Sequence, residues 1–347
     1  MVVRAKSNRR MVKAASNGMP REAGALAPPR GVGEHATSPV ESEPAAFPSE
    51  NRALYLIGRP TLKQFLRHVR HNAAEPQRES DLIDEWNAAN DVVGGMQKSE
   101  AGAADNARIV QLGPEYSPLL ANLFREPLIR HGFNTVPTEV AMVDLDRVVV
   151  YQKHIDISHA DRLQRDLPSD PSNEQIFELC LPRKRVNPPV KWSRAPRDKY
   201  VFVSPSNDLR FLGIMPLKPR DIPDYPPPGN FVGVVGIAVG FGSNFLNAIY
   251  AEKRLILRNG SHRAYMLYKR GFRHVPCIIQ HVKNREELDL VGSPELERHP
   301  DHFLKHPRPP MLRDYFNPAL CKFMEVQPRL HQVTVEFSVE ETELPAL

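Results

Sequence analysis

Cysteine is scarce in this chain: three copies in 347 residues, at Cys180, Cys277 and Cys321. No two form a C-x-x-C pair, and an odd number excludes a closed disulfide framework and suits a reducing cytosol. Cys277 stands in the apolar run Val-Pro-Cys-Ile-Ile and reads as a core residue rather than a nucleophile. Long hydrophobic runs are missing too. None approaches the roughly 18 apolar residues of a membrane span, and the N-terminus has no apolar segment of the secretory type. Its Arg-rich, acid-poor start fits an organelle transit peptide or a disordered basic tail, and the tail is the reading adopted. The expectation is a cytoplasmic protein with no membrane partner.

Proline is in excess. Its 34 copies are roughly twice average usage, so many connections should be extended and ordered by sequence rather than by regular elements. Hydrophobic content of 41% and charge of 25% suit a globular protein. The net charge of +5 is unevenly spread. Residues 1–30 carry seven Lys or Arg against one Glu, which leaves the rest of the chain one charge below neutral. The body therefore gives no electrostatic case for nucleic-acid binding as a whole.

Residues 1–50 are rich in Ala, Pro, Ser, Glu and Gly and should be disordered. Order begins near Ala53–Leu56. Pro60 fits a first helical position, and Leu62, Phe65, Leu66 and Val69 give an amphipathic helix ending near Asn72. A second helix is expected from Asp81 to Val93, stopped by Gly94 and Gly95, and a third over Tyr116–Phe124. Region 52–137 thus reads as a mainly helical subdomain.

Strand candidates follow at Val140–Tyr151, Tyr200–Val203, Phe231–Val239 and Gln332–Val339. A hairpin over Phe245–Tyr250 and Arg254–Arg258 should turn at Glu252-Lys253. The segment Ser158–Leu167 reads as a helix capped by Ser158. Residues 183–199 hold seven Lys or Arg around Trp192. They fit weak, sequence-tolerant contact with nucleic acid, together with residues 1–30, or a solvated Pro-stiffened loop. His299, His302 and His306 lie among prolines with no completing ligand, and read as an irregular loop rather than a metal site.

The most informative stretch is 253–282, KRLILRNGSHRAYMLYKRGFRHVPCIIQHV. It reads strand, polar glycine turn, helix, strand. A helix N-terminus presents unpaired N–H groups and positive dipole character, and Gly260 lets backbone approach a ligand. His262 and Arg263 add donors, and Arg can grip a phosphate with two hydrogen bonds. The turn Asn259–Arg263 therefore reads as a phosphate site.

The sequence Gly260-Ser261-His262-Arg263, with its flanking strands and Gly271, resembles the second box of the ParB/sulfiredoxin superfamily. The strand 140–151, the strip Gln152-Lys153-His154 and the helix after it resemble how such domains open. The resemblance implies an α+β fold with a ParB/sulfiredoxin-like core over 138–285, carrying a Pro-rich insertion at 168–230. A Pro-rich extension with a terminal strand would fill 286–347. It implies binding of ATP or CTP with Mg²⁺ through Gln152, Asn259, Gly260, Ser261, His262 and Arg263. His262, Arg263 and Lys153 would be the catalytic charges of a phosphotransferase (kinase) or NTPase acting on a small-molecule acceptor.

Two departures narrow the chemistry. Gln152 and Lys153 stand where serine kinases of the superfamily carry an acid, which leaves Asp144, Asp146 and Asp156 as possible bases. Ser261 stands where sulfiredoxins carry their Cys, so sulfinic-acid reduction is not expected. The alternatives are a ParB-type DNA-associated protein controlled by nucleotide and a non-catalytic scaffold. Residues 283–347, with their prolines, show no helix pair for a DNA reader.

Overall fold

This computed structural model describes residues 51–183, 187–196, 198–218 and 233–344. The basic tail over 1–50 and, within the 168–230 insertion, residues 184–186, 197 and 219–230 lie outside the described residues. In chain order, β1 (Arg52–Leu56) leads into α1 (Leu62–Asn72) and α2 (Glu79–Ser99). Next come β2 (Ile109–Gln111), α3 (Ser117–Leu123) and α4 (Pro127–Gly132). They are followed by β3 (Thr138–Asp144), β4 (Val149–Val150), β5 (His154–Asp156), α5 (Ile157–Arg165) and α6 (Asn173–Cys180). Four strands come next: β6 (Lys191–Ala195), β7 (Lys199–Ser204), β8 (Leu209–Leu217) and β9 (Val234–Phe241). The segment β10 (Asn247–Ala251), β11 (Arg254–Asn259), α7 (Ser261–Lys269) and β12 (His274–His281) is the heart of the molecule. The chain closes with α8 (Arg285–Val291), α9 (Pro294–Arg298), α10 (Pro300–Leu304), β13 (Cys321–Glu325) and β14 (His331–Glu336).

The α+β class is as expected. The central sheet runs β2-β3-β12-β10-β11-β4, with β12/β10 and β11/β4 parallel and the other pairs antiparallel. Strands from 138–150 and 247–281 thus share one sheet. Smaller sheets are β13-β1-β5, β14-β7-β6 and the β8-β9 hairpin. The central sheet is covered on both faces. Ala248, Leu255 and Leu257 join a core with Ala264, Met266 and Leu267 of α7. Ile249, Ala251, Ile256 and Val149 pack instead with Leu288, Leu296 and Phe303 of α8–α10. Alternation along β10 and β11 divides these side chains between the two cores.

Several local expectations are corrected. Pro60 precedes α1 rather than opening it. Thr61 is the cap, in a reciprocal capping box with Gln64. Helix α2 continues through Gly94 and Gly95, neither of which adopts positive φ. The glycine penalty of about 1 kcal/mol each is offset where Glu100, just past the helix, accepts hydrogen bonds from Arg308 (2.9 Å) and Arg313 (2.5 Å). The run 140–151 is broken at Leu145–Arg147, where Asp144 Oδ1 accepts from the Asp146 N–H at 2.9 Å. Asp156, not Ser158, caps α5, accepting from the His159 N–H at 2.8 Å.

The hairpin turns at Glu252 and Lys253 as read, with φ of 48° and 67°, the positive pair that a two-residue turn between twisted strands requires. The last 65 residues hold three short helices where no helix pair was expected. Asn284 and Ser293 cap α8 and α9, and Pro294 and Pro300 sit in first turns, where proline opens a helix rather than breaking it. His302 is therefore helical, not in an irregular loop. Region 52–137 contains α1–α4, and it also gives β1 to a sheet with β5 and β13 and β2 to the central sheet.

Candidate functional site

The turn Asn259–Arg263 joins the end of β11 to the start of α7. Gly260 is the N-cap residue and adopts a left-handed conformation, φ 93°. A Cβ there would lie 2.5 Å from Leu246 Cδ1 and 3.1 Å from Leu246 Cα, so both backbone angle and space demand glycine. No side chain caps the helix. Of the other α-helices from seven residues upward, α1, α5, α6 and α8 carry a side-chain cap and α2 and α3 do not.

The loop Gly240–Asn244 is drawn onto this turn. Asn259 Nδ2 donates to Ser243 O at 2.6 Å, and Arg263 Nη1 donates to Asn244 O at 2.6 Å. Ser261 and Arg263 are both buried. Two side chains of the turn thus hold the Ser243 and Asn244 carbonyls, which follow Gly240-Phe241-Gly242 in the chain.

His262 faces β5. The Asp156 N–H donates to its Nε2 at 3.0 Å, which places the ring proton on Nδ1. Burial, followed by the neighbouring His159, His154, Arg263 and Arg162, pushes the His262 pKa down to about 3. The ring is neutral at pH 7 and supplies a dipole rather than a charge. His159 stands edge-on to it at 5.2 Å between ring centres.

The three acids left open by the sequence separate in space. Asp146 accepts from the Tyr268 hydroxyl at 2.6 Å, at the far end of α7, and Asp144 lies beside Arg147 at 3.8 Å. Asp156 alone of the three touches the turn, and it does so through its backbone N–H to His262, while its carboxylate caps α5.

The strip 152–153 is engaged elsewhere. Gln152 Nε2 donates to His154 O at 2.9 Å, and its carbonyl accepts from the Tyr315 hydroxyl at 2.6 Å. Lys153 Nζ lies 3.0 Å from Glu295 Oε1 of α9. Burial works against the Glu295 carboxylate, and Lys153 outweighs it, holding the acid below its usual range. Asn259, Gly260, Ser261, His262 and Arg263 are therefore brought together with Asp156 and the 243–244 carbonyls, while Lys153 is ion-paired to a different helix. Among the described residues no group of three His, Cys, Asp or Glu side chains is placed to hold a metal.

Sequence reasoning passed over Asn247, Gln280, Arg210 and Arg258. The first two left a signal: a lone amide side chain inside an otherwise apolar strand (NAIYA and HVPCIIQH). Both are buried.

Fold and site together define an α+β protein with an uncapped, glycine-led helix N-terminus at the end of its central sheet. No protein-family model, no curated protein and no solved structure matches the chain. Among the described residues no helix is long and apolar enough to cross a membrane.

Proposed function

We propose that this chain binds the phosphates of a nucleotide triphosphate, ATP or CTP, at Asn259–Arg263. We propose further that it acts as a phosphotransferase or NTPase toward a small-molecule acceptor on a ParB/sulfiredoxin-like core. The observation that carries the reading is Gly260. A left-handed glycine opens a nine-residue helix that has no side-chain cap, and a phosphate is the ligand whose oxygens suit the first-turn amides and the dipole. Arg263, one turn in, contributes positive charge beside that end.

Phosphoryl transfer asks the protein for positioning and charge neutralisation more than for covalent chemistry. Arg263 supplies charge and holds the 243–244 loop. Neutral His262 links the turn to Asp156. Asp156 is the base candidate: it is the one of the three acidic residues whose backbone meets the turn, and its carboxylate stands at the N-terminus of α5. Mg²⁺ is held mainly by substrate phosphates and water plus one or two carboxylates, so a site without a three-ligand protein cage suits it. Asp156, on β5 beside the turn, would be the protein carboxylate offered to it, and the ion would neutralise developing charge on the transferred group. Ser261 is buried at the first helical position and serves as a hydrogen-bonding group, not a redox nucleophile.

The test is a thermal-shift screen of ATP, CTP, GTP and their diphosphates, with and without Mg²⁺. A ligand present at 100 times its Kd stabilises by about 2.7 kcal/mol. Stabilisation by a triphosphate, larger than by its diphosphate, is the expected result. No shift with any nucleotide removes the reading.

A further inference from the structure

The strand end that carries the turn has a second polar group on its other face. Arg258 follows Ile256 at the two-residue spacing of one strand face, and its Nη1 lies 3.4 Å from Gln280 Oε1. Gln280 is in register with Ile249 across the parallel β10/β12 pair, and Ile249 belongs to the core under α8–α10. Asn247 stands two residues before Ile249, where the β10/β11 register shifts and Arg258 is the extra residue. Tyr151, packed against the same core, donates its hydroxyl to Arg258 O at 2.6 Å. These side chains therefore gather on the sheet face away from α7.

Their hydrogen-bonding capacity is not used up. Asn247 is 1% exposed, and its Nδ2 donates to Phe245 O at 3.2 Å while its Oδ1 has no partner. Gln280 is equally buried. Among the described residues Arg258 meets no carboxylate. Its charged neighbour is a second guanidinium, Arg210. Arg210 lies against Gly242, where a Cβ would come within 2.5 Å of its Cζ, so the glycine makes room for it. The acid paired with Arg210 is Asp208, close by in its own chain segment.

Arg258, largely buried without an acid, loses hydration and is further disfavoured by the Arg210 charge. An anion beside Arg258 relieves both costs. The unpaired Asn247 oxygen needs a donor. One ligand meets both demands if it carries negative oxygens and an adjacent O–H or N–H. We propose that Arg258, Arg210 and Asn247 form a binding site for a small molecule carrying an anionic oxygen group beside an O–H or N–H donor: a phosphate monoester or a hydroxy- or amino-carboxylate. The Arg258 and Asn247 side chains lie on the sheet face away from α7, and Arg263 is not among the residues of this site.

The experiment is calorimetric titration of the full chain at pH 7 with two matched pairs of probes. Inorganic phosphate is set against sulfate, and lactate against acetate; the first of each pair carries a donor. Saturable binding of phosphate or lactate, at least tenfold tighter than its donorless counterpart, is the expected result, and the pair that responds names the ligand class. Arg258→Gln and Arg210→Gln should each weaken it at least tenfold, with ATP or CTP binding unchanged. Arg210 is half-exposed, so its variant remains informative if Arg258→Gln folds poorly. Arg263→Gln should leave the binding unchanged. No saturable binding by either donor-bearing probe overturns the proposal. So does equal affinity within each pair, retention of binding in Arg210→Gln, or loss confined to Arg263→Gln, which would place the anion at the turn.

Discussion

Two groups of arginines behave in opposite ways. In the first, Arg308 is 0% exposed and donates to Asp314 Oδ1 at 2.5 Å, Asp314 Oδ2 at 3.1 Å and Glu100 Oε2 at 2.9 Å. Arg59 reaches the same Asp314 at 3.4 Å, and Arg313 the same Glu100 at 2.5 Å. Burial works against the Arg308 charge, and its two acids outweigh burial and hold its pKa above the usual value. In the second group burial lowers the pKa of Arg258, Tyr151 opposes that, and Arg210 adds to it. The first cluster closes on itself and joins α2 to the segment before β13. In the second, Arg210 pairs with Asp208, and Arg258 meets no carboxylate among the described residues. The lesson is that the acid beside a guanidinium, more than its burial, decides whether its charge is held or disfavoured.

The sharpest way to break the closed cluster is Asp314→Ala. It leaves Arg308 buried with one acid and should cost about 3–5 kcal/mol in urea unfolding. A loss below about 1 kcal/mol would mean the network is not holding the fold.

At the turn, Asp156→Asn isolates chemistry from structure. Asparagine keeps the cap acceptor for the His159 N–H and the backbone donor to His262. Turnover should fall at least about a hundredfold, the low end for a lost general base, with nucleotide affinity and melting temperature nearly unchanged. Full turnover in this variant removes Asp156 from the role.

Acid separates the neutral histidines from both arginine groups. Burial, then His154, Arg329 and His71, pushes His68 down to about 3, matching His262. Their folded pKa values are depressed, so the unfolded chain binds the extra protons. The stability they provide is complete above pH 6.5 and is lost progressively as pH falls from 6.5 toward 3. Each should cost about 2 kcal/mol by pH 5. A flat stability profile between pH 7 and 5 would contradict this. The smallest effect is expected for Arg258→Gln without ligand. Losing an acidless buried charge should leave stability within about 1 kcal/mol of the parent, in contrast to Asp314→Ala.

The sequence made the turn legible because its chemistry is local. Gly260, the strand before it and the helix after it lie within one short segment, and the β10/β11 hairpin announced its own turn. What stayed hidden depended on partners far along the chain. Asp156 was one of three equal candidates until β5 was placed beside α7, a separation of 106 residues between Asp156 and His262. Lys153 looked available to a phosphate because nothing local revealed Glu295, 142 residues away. The helix through Gly94 and Gly95 and the proline-led helices after 293 were missed for a related reason. Glycine and proline were read as breaks, whereas the anchoring of Glu100 and the first-turn position of Pro294 and Pro300 decide otherwise.

Basic residues 191–195 form an exposed edge strand, with Trp192 66% exposed and stacked near Phe202 at 6.4 Å.

The central claim is that a triphosphate sits at Asn259–Arg263. Its most direct test is calorimetric titration of ATP and CTP, with Mg²⁺, into the parent chain and Arg263→Ala. The account predicts saturable binding of at least one of them, weakened by about 1.5–3 kcal/mol in the variant through the lost charged hydrogen bond. Unchanged affinity in Arg263→Ala, or no binding by the parent chain, would contradict it.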